Sequence, residues 1–209
     1  MSILDEASAS AERGFEAMSR MAARGTSFLF IIDAWARRAV VLTTAEARAL
    51  GIRWSLGCPP APPQSPPPHR FQALVVARSR YAAAFRVIRQ AQLKGETWLA
   101  NLTFPSALRT SLGLRDFALF ARAPFRLYVP GALAVFSPER FVRIDSSGRI
   151  GAYPMKGTID AAEAGAAASI LADEKEAAEH VTIVDLIRND IGRVARRVRS
   201  EERRVGKEC

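Results

Sequence analysis

The runs Phe125-Arg126-Leu127-Tyr128-Val129, Ala132-Leu133-Ala134-Val135-Phe136, Arg140-Phe141-Val142-Arg143-Ile144 and Arg149-Ile150-Gly151-Ala152-Tyr153 follow one another with only short breaks. Each is short, rich in β-branched or aromatic residues, and bounded by turn-forming residues, which is the composition of a strand. Ser146-Ser147-Gly148 joins the last two as a hairpin turn, and a tight turn permits only antiparallel pairing. Helical sequence comes after these strands rather than between them. The residues therefore predict an α+β fold built on antiparallel sheet.

Downstream, Asp160 to Leu171 and Glu174 to about Arg188 read as helices. Upstream, Ser106 to Leu112 and Asp116 to Ala121 read as two short helices, and Thr97 to Thr103 alternates like a strand until Pro105 breaks it. Arg80 to Lys94 places Tyr81, Phe85, Ile88 and Ala91 on one face of an amphipathic helix that Gly95 stops. Seven of the twelve prolines crowd between Cys58 and His69, and proline cannot donate into a helix or a sheet ladder, so this is a linker or mobile loop. Before it, Ala11 to Ala23 carries Phe15, Met18, Met21 and Ala22 at helical spacing, with Gly25 as its stop. Ser27 to Asp33 and Ala39 to Leu42 form a hairpin around a polar turn, and Thr44 to Leu50 a short helix. The organisation expected is a helix and hairpin segment over 1–57, a Pro-rich linker over 58–69 and a larger unit over 70–198.

A length of 209 residues with 49% apolar and 24% charged side chains is that of one globular domain. The formal charge of +9 comes from 26 Arg and only 4 Lys. The arginines are scattered singly or in pairs without interleaved aromatic residues, as a G- and C-rich coding sequence produces, so no nucleic-acid partner is expected. Cys58 and Cys209 are the only cysteines and stand in no metal-ligand spacing, which argues against structural zinc. The longest early apolar run, Phe28 to Ile32, falls far short of the roughly 20 residues a membrane span requires. No membrane partner is expected, and a cytoplasmic location is.

Three segments place charged groups beside residues that constrain the backbone: Ser137-Pro138-Glu139-Arg140-Phe141, Pro154-Met155-Lys156-Gly157-Thr158, and Lys175-Glu176-Ala177-Ala178-Glu179-His180. Taken singly each has a plain structural reading. Glu139 suits a solvated turn, Lys156 a surface loop, and Glu179 a helix-surface carboxylate paired with a neighbour.

In this order, and with the third segment extended from Asp173 through Asp190, they resemble the chorismate-utilising enzymes. The likeness runs from about Phe71 to Val198, includes Asn101-Leu102-Thr103, and reaches weakly to the strand at Phe28 to Asp33. It implies a partial chorismate-binding fold, one half of a β-sandwich flanked by helices, with 70–198 as the N-terminal half of the domain. Within the family, Lys156 points to the aminodeoxychorismate synthases of the para-aminobenzoate branch, since anthranilate synthases usually carry alanine there.

The resemblance implies an activity: replacement of the C4 hydroxyl of chorismate by an amino group, with ammonia from a glutamine amidotransferase. Hydroxide is a poor leaving group. The family assigns its protonation to the glutamate matching Glu139, a general acid whose pKa burial should raise. The lysine matching Lys156 is the nucleophile that adds at C2 of the ring, and it attacks only as a neutral amine. A lysine can lose its proton and an arginine cannot, so lysine at 156 stands out in a chain this short of lysine. Gly157 and Thr158 match the substrate-binding part of the same segment. Glu179 matches one of two ligands of a Mg²⁺ ion that anchors the ring carboxylate, with Ile183 and Leu186 expected to hold its helix against the core. His180 lies on the stripe of Val184, Ile187 and Ile191 and is read as a packed core histidine.

Residues 199–209 resemble no part of the family and look like a translated sequencing adapter; the family itself continues well beyond Val198. The 209-residue chain is therefore expected to be an inactive fragment. A sibling activity (anthranilate synthase component I, isochorismate or salicylate synthase) and a basic interaction module remain as alternatives.

Overall fold

The computed structural model of the chain describes residues 3–57, 65–137 and 139–199. A short helix α1 (Ile3–Ala7) and strand β1 (Ser8–Ser10) precede α2 (Ala11–Ala23), whose first turn is capped by the Ser10 hydroxyl. Gly25, at φ +64°, takes the left-handed conformation that stops α2 where the sequence predicts. The hairpin follows as β2 (Phe28–Ile32) and β3 (Arg38–Thr43), paired antiparallel with Ile32 opposite Ala39, and β1 adds to the other edge of β3. Its turn is closed by one carboxylate: Asp33 Oδ1 accepts the Arg37 N–H at 2.6 Å and the Arg38 N–H at 3.2 Å. Helix α2 crosses this sheet so closely that a Cβ on Gly14 would lie 2.5 Å from the Cβ of Ala39. Helix α3 (Thr44–Ala49) starts from a capping box in which Thr43 and Glu46 satisfy each other's backbone N–H groups.

Strand β4 (Arg53–Leu56) leads to the edge of a second sheet. After it come β5 (Phe71–Leu74), α4 (Arg78–Leu93), β6 (Ala107–Thr110), α5 (Leu114–Phe120), β7 (Phe125–Val129) and β8 (Leu133–Ser137). β7 and β8 pair as predicted, and β4 joins β7 on its other side with Arg53 opposite Tyr128. The two three-stranded sheets share one core. Ala47 of α3, Ile52 and Val129 are fully buried there, ringed by Leu29, Ile31, Leu42, Trp54, Leu127 and Leu133.

Several sequence expectations are corrected between 65 and 121. Residues 107–110, read as helix, form β6 against β5, with Phe71 opposite Thr110 and Leu74 opposite Ala107. A four-residue stretch with two apolar and two polar side chains fits either period, and the pairing partner decides. Thr97 to Thr103 alternates but finds no neighbouring strand and is irregular. The linker's residues 58–64 lie outside the described residues, and 65–70 are exposed chain without helix or strand.

The remainder comprises β9 (Arg143–Ile144), β10 (Ile150–Gly151), α6 (Ala166–Ala172) and α7 (Glu174–Gly192). β9 and β10 form the expected hairpin, shortened to two pairs. Its turn hangs on Asp145, whose carboxylate accepts from Ser147 N, Ser147 Oγ, Arg149 N and Arg149 Nε at 2.6–3.1 Å. α6 starts six residues later than predicted because Gly165, at φ +77°, cannot belong to a right-handed helix. No residue of α6 or α7 is buried. The chain as a whole exposes 16453 Å², against about 9,600 Å² for a closed globule of its mass. The excess includes exposed large side chains such as Phe141, Ile144, Val181 and Leu186. No helix among the described residues is long and apolar enough to cross a membrane.

Candidate active site

The three charged segments converge at the end of β8, the loop after β10 and the first turns of α7. Past β8 the chain turns back on a hydroxyl: Ser137 Oγ donates to the Glu139 carbonyl oxygen at 2.8 Å and accepts the Glu139 N–H at 3.3 Å. This aims the Glu139 carboxylate at the next segment, where Oε2 accepts the Met155 N–H at 2.9 Å. Arg140 supplies a second tie. Its guanidinium lies 5.3 Å from the centre of the Phe125 ring and 5.7 Å from that of Tyr153, bridging the start of β7 to the residue before Pro154.

Gly157 then fixes the path of the loop. It sits at φ +72°, and a Cβ there would come within 3.1 Å of Ile170 Cδ1 and 3.4 Å of Glu176 Cβ. The loop is thus pressed onto α6 and α7 at the one residue type that fits. Lys156 consequently lies over α7, with Nζ 3.7 Å from Glu179 Oε2. Helix α7 presents that carboxylate because Asp173 caps its start, accepting the Glu176 N–H at 2.9 Å. The other oxygen of Glu179 meets Lys175 Nζ at 3.0 Å, and the same ammonium reaches Glu176 Oε1 at 2.8 Å.

This is a charge network with a definite sign. The hydrogen bond and charge of Lys175, and to a smaller extent Lys156, hold the Glu179 carboxyl below its ordinary range. Glu176 and then Glu179 push the Lys175 ammonium up. Both shifts favour the charged forms of Lys175 and Glu179, and Glu179 is shared between two lysine side chains.

The structure therefore brings Glu139, Lys156 and Glu179 into one patch, linked through the Met155 N–H and the Lys156 ion pair. Gly157 is half-buried within the patch and Thr158 is exposed at its edge. Two expectations about the environment are corrected. Glu139 is exposed, so the burial asked of a general acid is not present in this chain. Lys156, its side chain 30% exposed, faces a carboxylate that is the natural counter-ion of an ammonium. Ile183 is half-buried and Leu186 is 50% exposed, so neither holds α7 on a core, and His180 is half-buried rather than packed in one. Among the described residues no buried core lies beneath α7.

Magnesium would find Glu179 here, with Glu176 beside it, both tied to Lys175. Among the described residues no three His, Cys, Asp or Glu side chains stand together as a metal site, and Glu179 is already held by two lysines. A hard divalent ion takes several oxygen ligands, so these residues alone do not fit it.

Sequence reasoning passed over Arg140 and Lys175. The lysine had a signal: two of only four lysines, Lys156 and Lys175, meet on Glu179. For Arg140 the partners are Phe125, at the start of β7, and Tyr153, in the loop after β10, and nothing in the local sequence announces their meeting.

Residues 32–206 match the family described as chorismate binding enzyme, a stretch that contains every residue of the patch. The chain is similar to an uncharacterised PabA-like protein of Pasteurella multocida, 35% identical over 175 residues that make up 82% of this chain and 54% of the relative. It is also similar to the aminodeoxychorismate synthase of Streptomyces griseus (32% identical, 78% of this chain and 24% of the relative). The aminodeoxychorismate synthase component 1 of Escherichia coli K12 matches at 34% identity over 57% of this chain and 29% of its own length. The chain spans about half the length of the PabA-like relatives it matches. No solved structure matches it. With the family match covering most of the chain and the three segments joined in space, the protein belongs to the chorismate binding enzyme family.

Proposed function

We propose that this chain carries part of the site at which chorismate is aminated at C4 to give 4-amino-4-deoxychorismate, the precursor of para-aminobenzoate and folate. The observation that carries this reading is the meeting of Glu139 and Lys156 in one patch, through the hydrogen bond from Met155 N–H to Glu139. The names of the Streptomyces and Escherichia relatives support it.

Lys156 Nζ, having given up its ammonium proton, forms a bond through its free electron pair to C2 of the ring as the C4 hydroxyl departs, and Glu139 gives that oxygen the proton with which it leaves as water. Ammonia then bonds to C4, and the C2–N bond to Lys156 breaks, returning the amine. Arg140 and Gly157 act on neither bond; they hold the acid and amine segments against each other. Ammonia comes from a glutamine amidotransferase partner, a reading supported by a relative named as component 1. Glu179 is proposed as one of the carboxylates that would hold Mg²⁺, with the remaining ligands supplied from outside this chain. With Glu139 exposed and the metal's ligand set incomplete, the 209-residue chain alone is expected to form no product.

The test is product analysis on the enzyme that carries this segment, supplied with chorismate, ammonium chloride and magnesium. We expect 4-amino-4-deoxychorismate, converted to para-aminobenzoate only when a lyase is added. Glu139→Gln should lower its formation by about 10²–10⁴-fold, as loss of general acid catalysis does, and Lys156→Ala by at least as much. Anthranilate, isochorismate or salicylate as the product, or an unaltered rate for Lys156→Ala, overturns the reading.

A further inference from the structure

A second cluster of polar groups lies on the β5/β6 hairpin and shares no residue with the patch around Glu139, Lys156 and Glu179. The strand register sets Gln72 opposite Arg109. One step further along, Arg70 and Ser111 extend the ladder: Ser111 N donates to the Arg70 carbonyl oxygen at 3.3 Å, and Arg70 N donates to Ser111 Oγ at 3.2 Å. Residues directly opposite share a face and side chains alternate along each strand, so Arg70, Gln72, Arg109 and Ser111 all project to the same side. Phe71 projects to the other side, where its ring packs edge-on against Phe117 and anchors the hairpin to α5.

The polar face borders an open hollow of about 630 Å³ lined by Arg70, Phe71, Gln72, Arg109, Thr110 and Ser111, with no acidic residue among them. Some exposed arginines of this chain are paired with a carboxylate, as Arg38 is with Asp5, Arg149 with Asp145 and Arg188 with Asp185, whereas this face sets two unpaired ones diagonally across one strand pair. Among the described residues, neither the Arg70 nor the Arg109 guanidinium has an ion pair, a hydrogen bond or an aromatic partner. Thr110 Oγ1 and Ser111 Oγ already accept backbone N–H groups, so each hydroxyl is left with its proton to donate. Besides the Phe71 ring and the Gln72 amide, which both donates and accepts, the lining side chains offer two cations and two hydroxyl donors.

We infer that the face formed by Arg70, Gln72, Arg109 and Ser111 is a binding site for a small oxyanion, a carboxylate or phosphate group gripped between two guanidinium forks. Diagonal cross-strand neighbours stand about 7–8 Å apart, so both forks reach one group lying between them, and the Ser111 hydroxyl and Gln72 amide complete its hydrogen bonds. Arginine suits this role better than lysine because its planar donors pair bidentately with a carboxylate or phosphate.

The experiment titrates the full chain with malonate and, separately, inorganic phosphate by isothermal titration calorimetry, at ionic strength held constant with chloride. Saturable one-to-one binding is expected, weakened at least about tenfold by Arg70→Gln and by Arg109→Gln, the size set by losing a charge-assisted hydrogen bond. Arg89→Gln on α4, which removes the same charge elsewhere, should leave it unchanged. Tighter malonate identifies a carboxylate ligand and tighter phosphate a tetrahedral one. Arg70→Lys keeps the charge and preserves the hairpin, so it separates fork from field: a loss like that of Arg70→Gln supports the site. Full binding by Arg70→Lys, an equal loss in Arg89→Gln, or absence of saturation overturns it. None of these readouts depends on chorismate turnover.

Discussion

The region built on β1 to β4 and the region that carries the charged patch are made in different ways. Every fully buried apolar side chain among the described residues (Ala11, Ala39, Val40, Ala47, Ile52 and Val129) lies in the first region or on β7, which packs against it. The second region, from Glu139 to the end of α7, buries none. It is held by polar ties: Glu139 to Met155, Arg140 between two rings, Lys156 and Lys175 on Glu179, and the Asp145 turn. Exposed charge pairs contribute only about 0–1 kcal/mol each, whereas one buried aliphatic side chain contributes several times that. The first region therefore has its geometry set by close packing. The second has the chemistry and a weaker scaffold, with its apolar surface open.

The sharpest way to break this contrast is to truncate one isoleucine in each region. Ile52→Ala, at a fully buried position, should cost about 2–4 kcal/mol. Ile183→Ala, half-buried on α7, should cost about 1 kcal/mol or less by the area it covers. Equal losses in denaturant unfolding would erase the distinction. Next in size is Gly14→Ala. The added methyl meets the Ala39 Cβ at 2.5 Å, and overpacking, partly offset by the better helix propensity of alanine, should cost about 1–2 kcal/mol. Stabilisation would mean that α2 rides looser on β3 than described. Thr43→Ala removes one arm of the capping box on α3 and should cost about 1 kcal/mol, read from the thermal midpoint.

The smallest effect belongs to the second region and depends on pH. Hydrogen bonds from Ser147 and then Arg149 hold the Asp145 carboxyl well below the usual aspartate range. A depressed carboxyl contributes its stability fully above the unfolded pKa of about 3.9 and loses it as pH falls below that value. Acidification should therefore release the Ser147 and Arg149 amides only well below about pH 4, as the carboxyl passes through its lowered folded-state range, seen as faster hydrogen exchange there. Asp145→Ala should show the same release at every pH, with little change in the global unfolding midpoint. Amides that stay protected in Asp145→Ala would show that the turn rests on its backbone alone.

Much of the local structure was legible because it is local. Helix α2 and its glycine stop, the β2/β3 hairpin, α3, and the strands β7 and β8 follow from period and turn chemistry within a few residues. The failures occur where a distant partner decides. Ala107 to Thr110 became a strand because Phe71 to Leu74 lies alongside, and Thr97 to Thr103 stayed irregular because nothing does. The site divides in the same way. Glu139, Lys156 and Glu179 were recognisable from the order of three segments, and the chain folds so that they meet. The environment of each was misjudged, since exposure depends on what packs around a residue and sequence spacing carries no record of it.

Amino-acid order alone determined most element types, the β2/β3 and β9/β10 hairpins and the family, because backbone preference and motif order reside in consecutive residues. Only the tertiary structure decided that Glu139 leans on the Met155 amide, that two lysines share Glu179, and that Arg70 and Arg109 stand unpaired on one face. Apart from the pairing of Lys175 with Glu179 one turn along α7, those facts depend on distances between segments 16 to 41 residues apart. Such distances are set by strand register and by the close approach of loops to helices at residues such as Gly157.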